Sequence, residues 1–267
     1  MGKENMSVLQ SGRVSGLLTL IYIIAMVIYF TYRAARGKVP RLRRIPGLDA
    51  IDEAIGRAAE MGRPLFISHG IANMTDATYG PQTIAGLGVL SYVAEKCSEL
   101  GARLYVPVRQ LVIWPIAVEL CETGYKKAGR PEDFNPTEQV RYLSSDQFGF
   151  SSNYMGWMWR ERAAANIMIG AYWAESLQLA ETGARIGTIQ VGGTANIHQI
   201  PFFVAACDYA LIGEEIFCAG AYLSKDAEMI GSLAGQDMGK LLGIVLILLG
   251  VIFVTAGSDI LTKILSW

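Results

Sequence analysis

The chain is poor in the residues that most often betray chemistry. It has two histidines and four cysteines in 267 residues. Cys97, Cys121, Cys207 and Cys218 contain no C-x-x-C pair, which argues against a structural zinc site, and no metal centre is assigned. Scattered in apolar segments, they read as reduced, buried thiols. The formal net charge is -1 and the pI about 6.2, with no basic excess to hold a nucleic acid. No G-x-S-x-G surrounds a serine, and no G-x-x-x-x-G-K-[ST] is present. Gly86-Leu87-Gly88 lies inside a helical pattern and does not follow a strand, so it is not a dinucleotide fingerprint. No catalytic residue is therefore assigned, the cofactor is unknown, and an enzyme is the less favoured reading. Internal repeats and low-complexity stretches are missing as well.

Two long uncharged apolar runs are present, Leu17 to Tyr32 and Leu241 to Ala256. A bilayer core takes about 20 helical residues, and permissive flanks lengthen both runs. Arg33, Arg36, Lys38, Arg41, Arg43 and Arg44 follow the first run with no acid among them. Positive charge stays on the cytoplasmic side, so the intervening domain is expected in the cytoplasm and both termini outside, in a two-pass protein of the cell membrane. The same basic block can touch anionic membrane lipid or only set the topology. A cleaved signal peptide is the rival reading of the first run, but Arg33 interrupts the Ala34-Ala35 site and the basic block reads as a stop. The expected organisation is an outer tail at 1–16, a span at 17–32 and a basic linker at 33–47. A domain at 48–238, a second span at 239–258 and a short outer tail at 259–267 follow.

Between the spans, helical and strand patterns alternate. Leu48 to Met61 is amphipathic, with Leu48, Ile51, Ala54, Ile55 and Ala58 on one face. A strand at Pro64 to Ser68 leads to a helix from Pro81 to Leu100. A second strand at Arg103 to Val108 leads to a helix from Pro115 to Lys127, and Gly129 to Pro136 is a surface loop. The third strand is Val140 to Ser144. A long helix is expected from Asn153 to Thr182, with Ala163 to Ala174 as its buried or interface portion. Strands at Thr188 to Val191 and Tyr209 to Ile212 bracket a short helix at Pro201 to Cys207. A last helix begins near Glu215 and continues, with breaks at its glycines, into the second span. Strands separated by helices imply a parallel sheet covered on both faces. The fold class is α/β: a three-layer, doubly wound, Rossmann-like, mainly parallel sheet of about five strands, flanked by an N-terminal and a C-terminal transmembrane helix.

Ligands of such sheets bind beyond the carboxyl ends of the strands. The candidate ligand-binding residues there are His69, Asp146, Gly192, Gly193, Asn196, His198 and Glu214. The glycines bring backbone N–H groups toward an anion, or only make a turn. Each histidine is a base or ligand, or a hydrogen-bonded structural residue. Asp146 and Glu214 orient a histidine or bind a cation, or cap the helices that follow. If the first strand neighbours the one before Gly192, His69 and His198 approach each other.

The stretches R-P-L-F-I-S-H-G (63–70), G-T-I-Q-V-G-G-T-A-N (187–196) and A-L-I-G-E-E-I-F-C-A-G-A-Y-L-S (210–224) resemble a family of uncharacterised prokaryotic membrane proteins with a cytoplasmic domain of unknown function. That resemblance implies no activity, cofactor or site residue.

Three functions compete. The first is a membrane-anchored scaffold or partner-binding component. It is expected to be a homo-oligomer, held partly by Trp157, Trp159, Tyr172 and Trp173 of the Asn153 to Thr182 helix. Gly12/Gly16 and Gly239/Gly243, at the span ends, would let helices approach. The second is a small-molecule or anion-binding sensor or enzyme with its site at the strand carboxyl edge. The third, a transporter subunit, ranks last because neither uncharged run contains the ionisable group that a transport path usually needs.

Overall fold

The computed structural model describes residues 14–41, 43–259, 263 and 265. The chain divides into two compact units, Arg43–Ser224 and the joined chain ends Met1–Leu42 with Lys225–Trp267. In chain order the elements begin with helices α1 (Val14–Ala35) and α2 (Pro46–Met61), strand β1 (Leu65–Gly70), α3 (Gly80–Leu100), β2 (Leu104–Val108) and α4 (Trp114–Lys127). A short α5 (Pro136–Gln139) enters β3 (Val140–Tyr142), followed by α6 (Gln147–Glu161), β4 (Ala165–Ala171), α7 (Glu175–Ile186) and β5 (Ile189–Thr194). Last come α8 (Ile200–Ala206), β6 (Tyr209–Ile212), α9 (Glu215–Ser224) and α10 (Ala227–Thr255).

The Arg43–Ser224 unit is one six-stranded sheet in the order β3-β2-β1-β4-β5-β6, and every pairing is parallel. That is the doubly wound order, which reverses direction between β1 and β4. All residues of β1, β2, β4 and β5 are buried, as strands covered on both faces must be. Leu65 and Ile67 of β1 and Ile167 and Ile169 of β4 pack with α2, α3, α4 and α9 in one core layer. Phe66 and Met168 point the other way, into a layer built with Phe150, Tyr154, Trp157, Leu179 and Phe203. A hydrogen-bonded chain crosses this second layer. Tyr154 Oη donates to Asn166 Oδ1 at 2.6 Å, Asn166 Nδ2 donates to Gln190 Oε1 at 3.3 Å, and Gln190 Nε2 donates to the Ala180 carbonyl at 2.8 Å. Buried amides stay in a core only when paired in this way.

The long helix expected over 153–182 does not exist. It is two helices with the central strand β4 between them, and the sheet has six strands rather than five. The chain leaves α6 through Arg162, whose φ of 52° is left-handed without a glycine to advertise it. Ala163 to Ala174 is apolar because β4 is walled in on both sides, and a buried strand and a buried helix share that signature. The four aromatic residues expected on that helix are dispersed. Trp157 is core, edge-on to Phe66 at 5.1 Å and beside Tyr105 at 4.8 Å. Tyr172 and Trp173 lie beyond β4, and only Trp159 of the four is largely exposed. The last helix is also divided: Lys225, at φ 54°, breaks it, and the Asp226 carboxylate caps α10 by accepting from Met229 N at 2.9 Å.

In the other unit, α1 and α10 are each long and apolar enough to cross a membrane. They pack on each other through glycines. A Cβ on Gly235 would lie 2.5 Å from Val27 Cα, one on Gly231 2.7 Å from the Phe30 carbonyl, and one on Gly239 3.3 Å from Ile23 Cγ1. The contact glycines are thus 231 and 235 with 239 at the margin; Gly16 and Gly243 meet nothing within 4 Å, and Gly12 lies outside the described residues.

Candidate functional site

A groove of about 700 Å³ opens at the carboxyl edge of the sheet, a volume in the range of small-molecule sites. Its walls come from the residues that follow successive strands: Ile71 after β1, Arg109 after β2, Gln147 at the start of α6, Trp173, Ala174 and Leu177 after β4, and Gln199 and Phe202 after β5. It therefore spans the β1/β4 reversal, where two crossovers depart in opposite directions and leave a crevice.

Glycine lets the ends of β1 and β4 approach closely. Gly70 has φ 87°, and a Cβ there would lie 2.5 Å from the Ala171 carbonyl oxygen across the strand pair. The register shifts at this point, between Ser68 and Gly70, and the ends of β1 and β4 stay paired beyond it, with Gly70 level with Ala171 and Ile71 N donating to the Ala171 carbonyl at 2.9 Å. The loop after β1 is held by Asp76, whose Oδ1 accepts from Thr78 N at 2.8 Å and Tyr79 N at 2.9 Å. That fixes Tyr79 edge-on to Trp173, with ring centroids 4.8 Å apart.

Arg109 is the cation of the groove. Its Nη1 donates to the Ile71 carbonyl at 2.7 Å, which pins the guanidinium across the β1/β2 ends. Its Nε is buried and has no partner among the described residues. A buried donor left open in this way calls for water or a ligand oxygen. Beneath the groove the carboxylate of Glu175 is fully buried. Its Oε1 accepts from Trp173 N at 2.9 Å, and its Oε2 accepts from Gln147 Nε2. Ser176 Oγ donates to the Trp173 carbonyl at 2.7 Å. The residues after β4 are thus locked in place. The groove offers one forked cation, two amides and a wall of Ile71, Trp173, Leu177 and Phe202, which suits an anionic group attached to an apolar or aromatic body.

The residues singled out from sequence are dispersed. His69 is 1% exposed, and neither ring nitrogen has a partner among the described residues. Burial lowers its pKa to about 4, so it is neutral at pH 7. It stands under α3 at Gly86, where a Cβ would come 2.8 Å from His69 Cα. His198 is exposed in the loop after β5, its backbone N donating to Asn196 Oδ1 at 3.3 Å. β4 separates β1 from β5, so His69 on β1 and His198 in the loop after β5 belong to strands that are not neighbours, one enclosed and the other facing solvent. Gly192 and Gly193 are inside β5, not beyond it. Cβ atoms there would strike Phe203 and Cys207 on one side and Ile216 and Leu211 on the other, so these glycines serve close helix packing. Asp146 caps α6, its Oδ1 accepting from Gly149 N at 2.6 Å. Asn196 ties the ends of β4 and β5 by donating from Nδ2 to the Tyr172 carbonyl at 3.0 Å. Glu214 is exposed just before α9.

No disulfide joins the cysteines among the described residues, and burial pushes the thiols of Cys121 and Cys207 up to about 12. They are packing groups, not nucleophiles, at neutral pH. No cluster of three or more potential metal ligands occurs among the described residues.

Sheet order and groove together define a doubly wound α/β domain with a crevice at its topological switch point, carried between two apolar helices. The chain belongs to the family described as Domain of unknown function (DUF6754), which matches residues 4–265 and so takes in both apolar helices and the whole sheet. No curated protein and no solved structure matches the chain.

Proposed function

We propose that this protein is a membrane-anchored receptor domain for a small anionic ligand, bound in the groove at the β1/β4 switch point with Arg109 as its anion anchor. The observation that carries this reading is Arg109 on the wall of a groove that straddles the strand reversal, its buried Nε without a partner among the described residues. The apolar wall beside the guanidinium selects a ligand with an apolar or aromatic portion. Among the described residues the groove is lined by Arg109, two glutamine amides and apolar side chains, a set suited to binding. α1 and α10 are the anchors, the basic residues after α1 hold the domain on the cytoplasmic side, and both termini lie outside.

Phenyl phosphate is a minimal probe, joining one anion to one ring. Saturation-transfer NMR with the full chain in nanodiscs is expected to show transfer to the ring of phenyl phosphate, much less to phenol, and a loss of both in Leu177→Glu. Arg109→Gln is expected to reduce the phenyl phosphate signal to the level of phenol. Equal signals from the wild type and Arg109→Gln would defeat the assignment.

A further inference from the structure

The uncharged runs of the two apolar helices are out of step, and the offset brings charge beside the middle of α1. Gly231 meets Thr31 and Ala34, Gly235 meets Val27, and Gly239 meets Ile23, so the helices run antiparallel in a fixed register. Asp237, between the last two glycines, is level with about Ala25, the midpoint of the uncharged run Leu17 to Tyr32. Lys240 is about one turn further along. Lys240 Nζ and Asp237 Oδ1 form an ion pair at 3.2 Å, with side chains 53% and 66% exposed. At about 100° per residue, Gln236, Asp237 and Lys240 fall on the face of α10 opposite Gly231 and Gly235. Exposed Ile244, Ile247 and Val251 continue that face.

We propose that this face of α10 docks a second copy of the same chain inside the membrane, with Asp237 of each copy paired to Lys240 of the other. The inference rests on the membrane reading of α1 and α10. A slab centred on the α1 run holds the ion pair near its midplane, where charged side chains are costly and characteristically face protein or water. A slab of about 20 residues centred on the α10 run instead would leave Ile24 to Tyr32 of α1 outside it, as one centred on the α1 run leaves Leu248 to Ala256 of α10 outside, and a slab midway between the two holds the ion pair.

The occupant is a second copy because the group is self-complementary. Two copies with one orientation, related by a two-fold axis along the membrane normal, hold their Asp237 residues at equal depth. Lys240 of the other copy is then about 4.5 Å away along the normal, within reach of its four-carbon stem. An acid and a base one turn apart therefore satisfy each other crosswise, and Gln236 adds an interhelical hydrogen-bonding group at the same level.

The test uses two differently tagged full-length copies co-expressed and recovered from alkaline-washed membranes. Wild-type copies are expected to co-purify. Lys240→Asp in both copies, or Asp237→Lys in both, is expected to cut co-purification at least tenfold, and co-expressing one of each is expected to restore it. Restoration also shows that both variants insert and fold. Release of the wild type by the alkaline wash would overturn the membrane reading, and this proposal with it. Retention in the membrane without self-association, with a different membrane protein recovered instead, or like-charge variants that pair as well as wild type, would overturn the pairing alone.

Discussion

Acidification tests the enclosure of His69 in a way no other residue can imitate. The imidazole is fully buried with both nitrogens open, and its pKa falls from 6.5 to about 4 through the loss of water around the charged form. The folded chain therefore keeps His69 neutral where the unfolded chain takes up a proton. The stabilisation from this difference is fully present above about pH 6.5 and is lost as the pH falls toward 4. Linkage between a pKa of 6.5 unfolded and about 4 folded removes about 2 kcal/mol between pH 7 and pH 5, and about 3 kcal/mol in all. The assay is urea unfolding of the full chain in mild detergent at pH 7, 6 and 5, followed by tryptophan fluorescence; Trp157 and Trp173 lie in the α/β unit and report its melting. His69→Leu removes the titrating group, so its unfolding free energy is expected to change by about 2 kcal/mol less than the wild type over the same range. Identical slopes for wild type and His69→Leu would refute the buried neutral imidazole, whatever their absolute stabilities.

Further outcomes follow from other contacts. Tyr154→Phe removes the donor to Asn166 Oδ1 and leaves a buried acceptor open, a loss of about 1–3 kcal/mol in the same urea assay. Gly235→Leu drives a side chain into the Val27 backbone, so cysteines placed at Ile23 and Gly239 are expected to crosslink in the parent and to lose that crosslink in the variant. With the domain inside and both termini outside, an impermeant thiol reagent on intact cells is expected to label a single cysteine at Asp259 and to spare one at Lys127; the reverse pattern inverts the topology.

Elements punctuated by side chains were legible in the sequence, and those defined only by topology were not. α2, α3 and α4 stand out because prolines open them and because α2 has a clean apolar face, and β1 and β2 because each is a short apolar run after a helix closed by a glycine. β4 is hidden because burial on both faces erases the period of two, and because the turn before it is made by Arg162. That one omission misplaces the site. Without β4 the sheet appears to reverse between β1 and β5, which points to His69 and His198 as a pair. With β4 in place, Trp173 and Leu177 move from a supposed helix to the groove wall, and Arg109 stands at its edge. The carboxyl edge as the place for a ligand needs only the alternation of helix and strand, whereas the residues that line it need the strand order. The membrane runs show a similar limit. Each is uncharged by itself, and only the glycine register between α1 and α10 places Asp237 beside the middle of α1.

A structure of the full chain with phenyl phosphate bound tests the central claim most directly. The account predicts the phosphate on the Arg109 guanidinium, within hydrogen-bond distance of Nε, and the ring against Trp173, Leu177 or Phe202 in the groove between the ends of β1 and β4. A ligand seated elsewhere on the α/β unit, with the Arg109 guanidinium unaltered and no phosphate on it, would contradict the account.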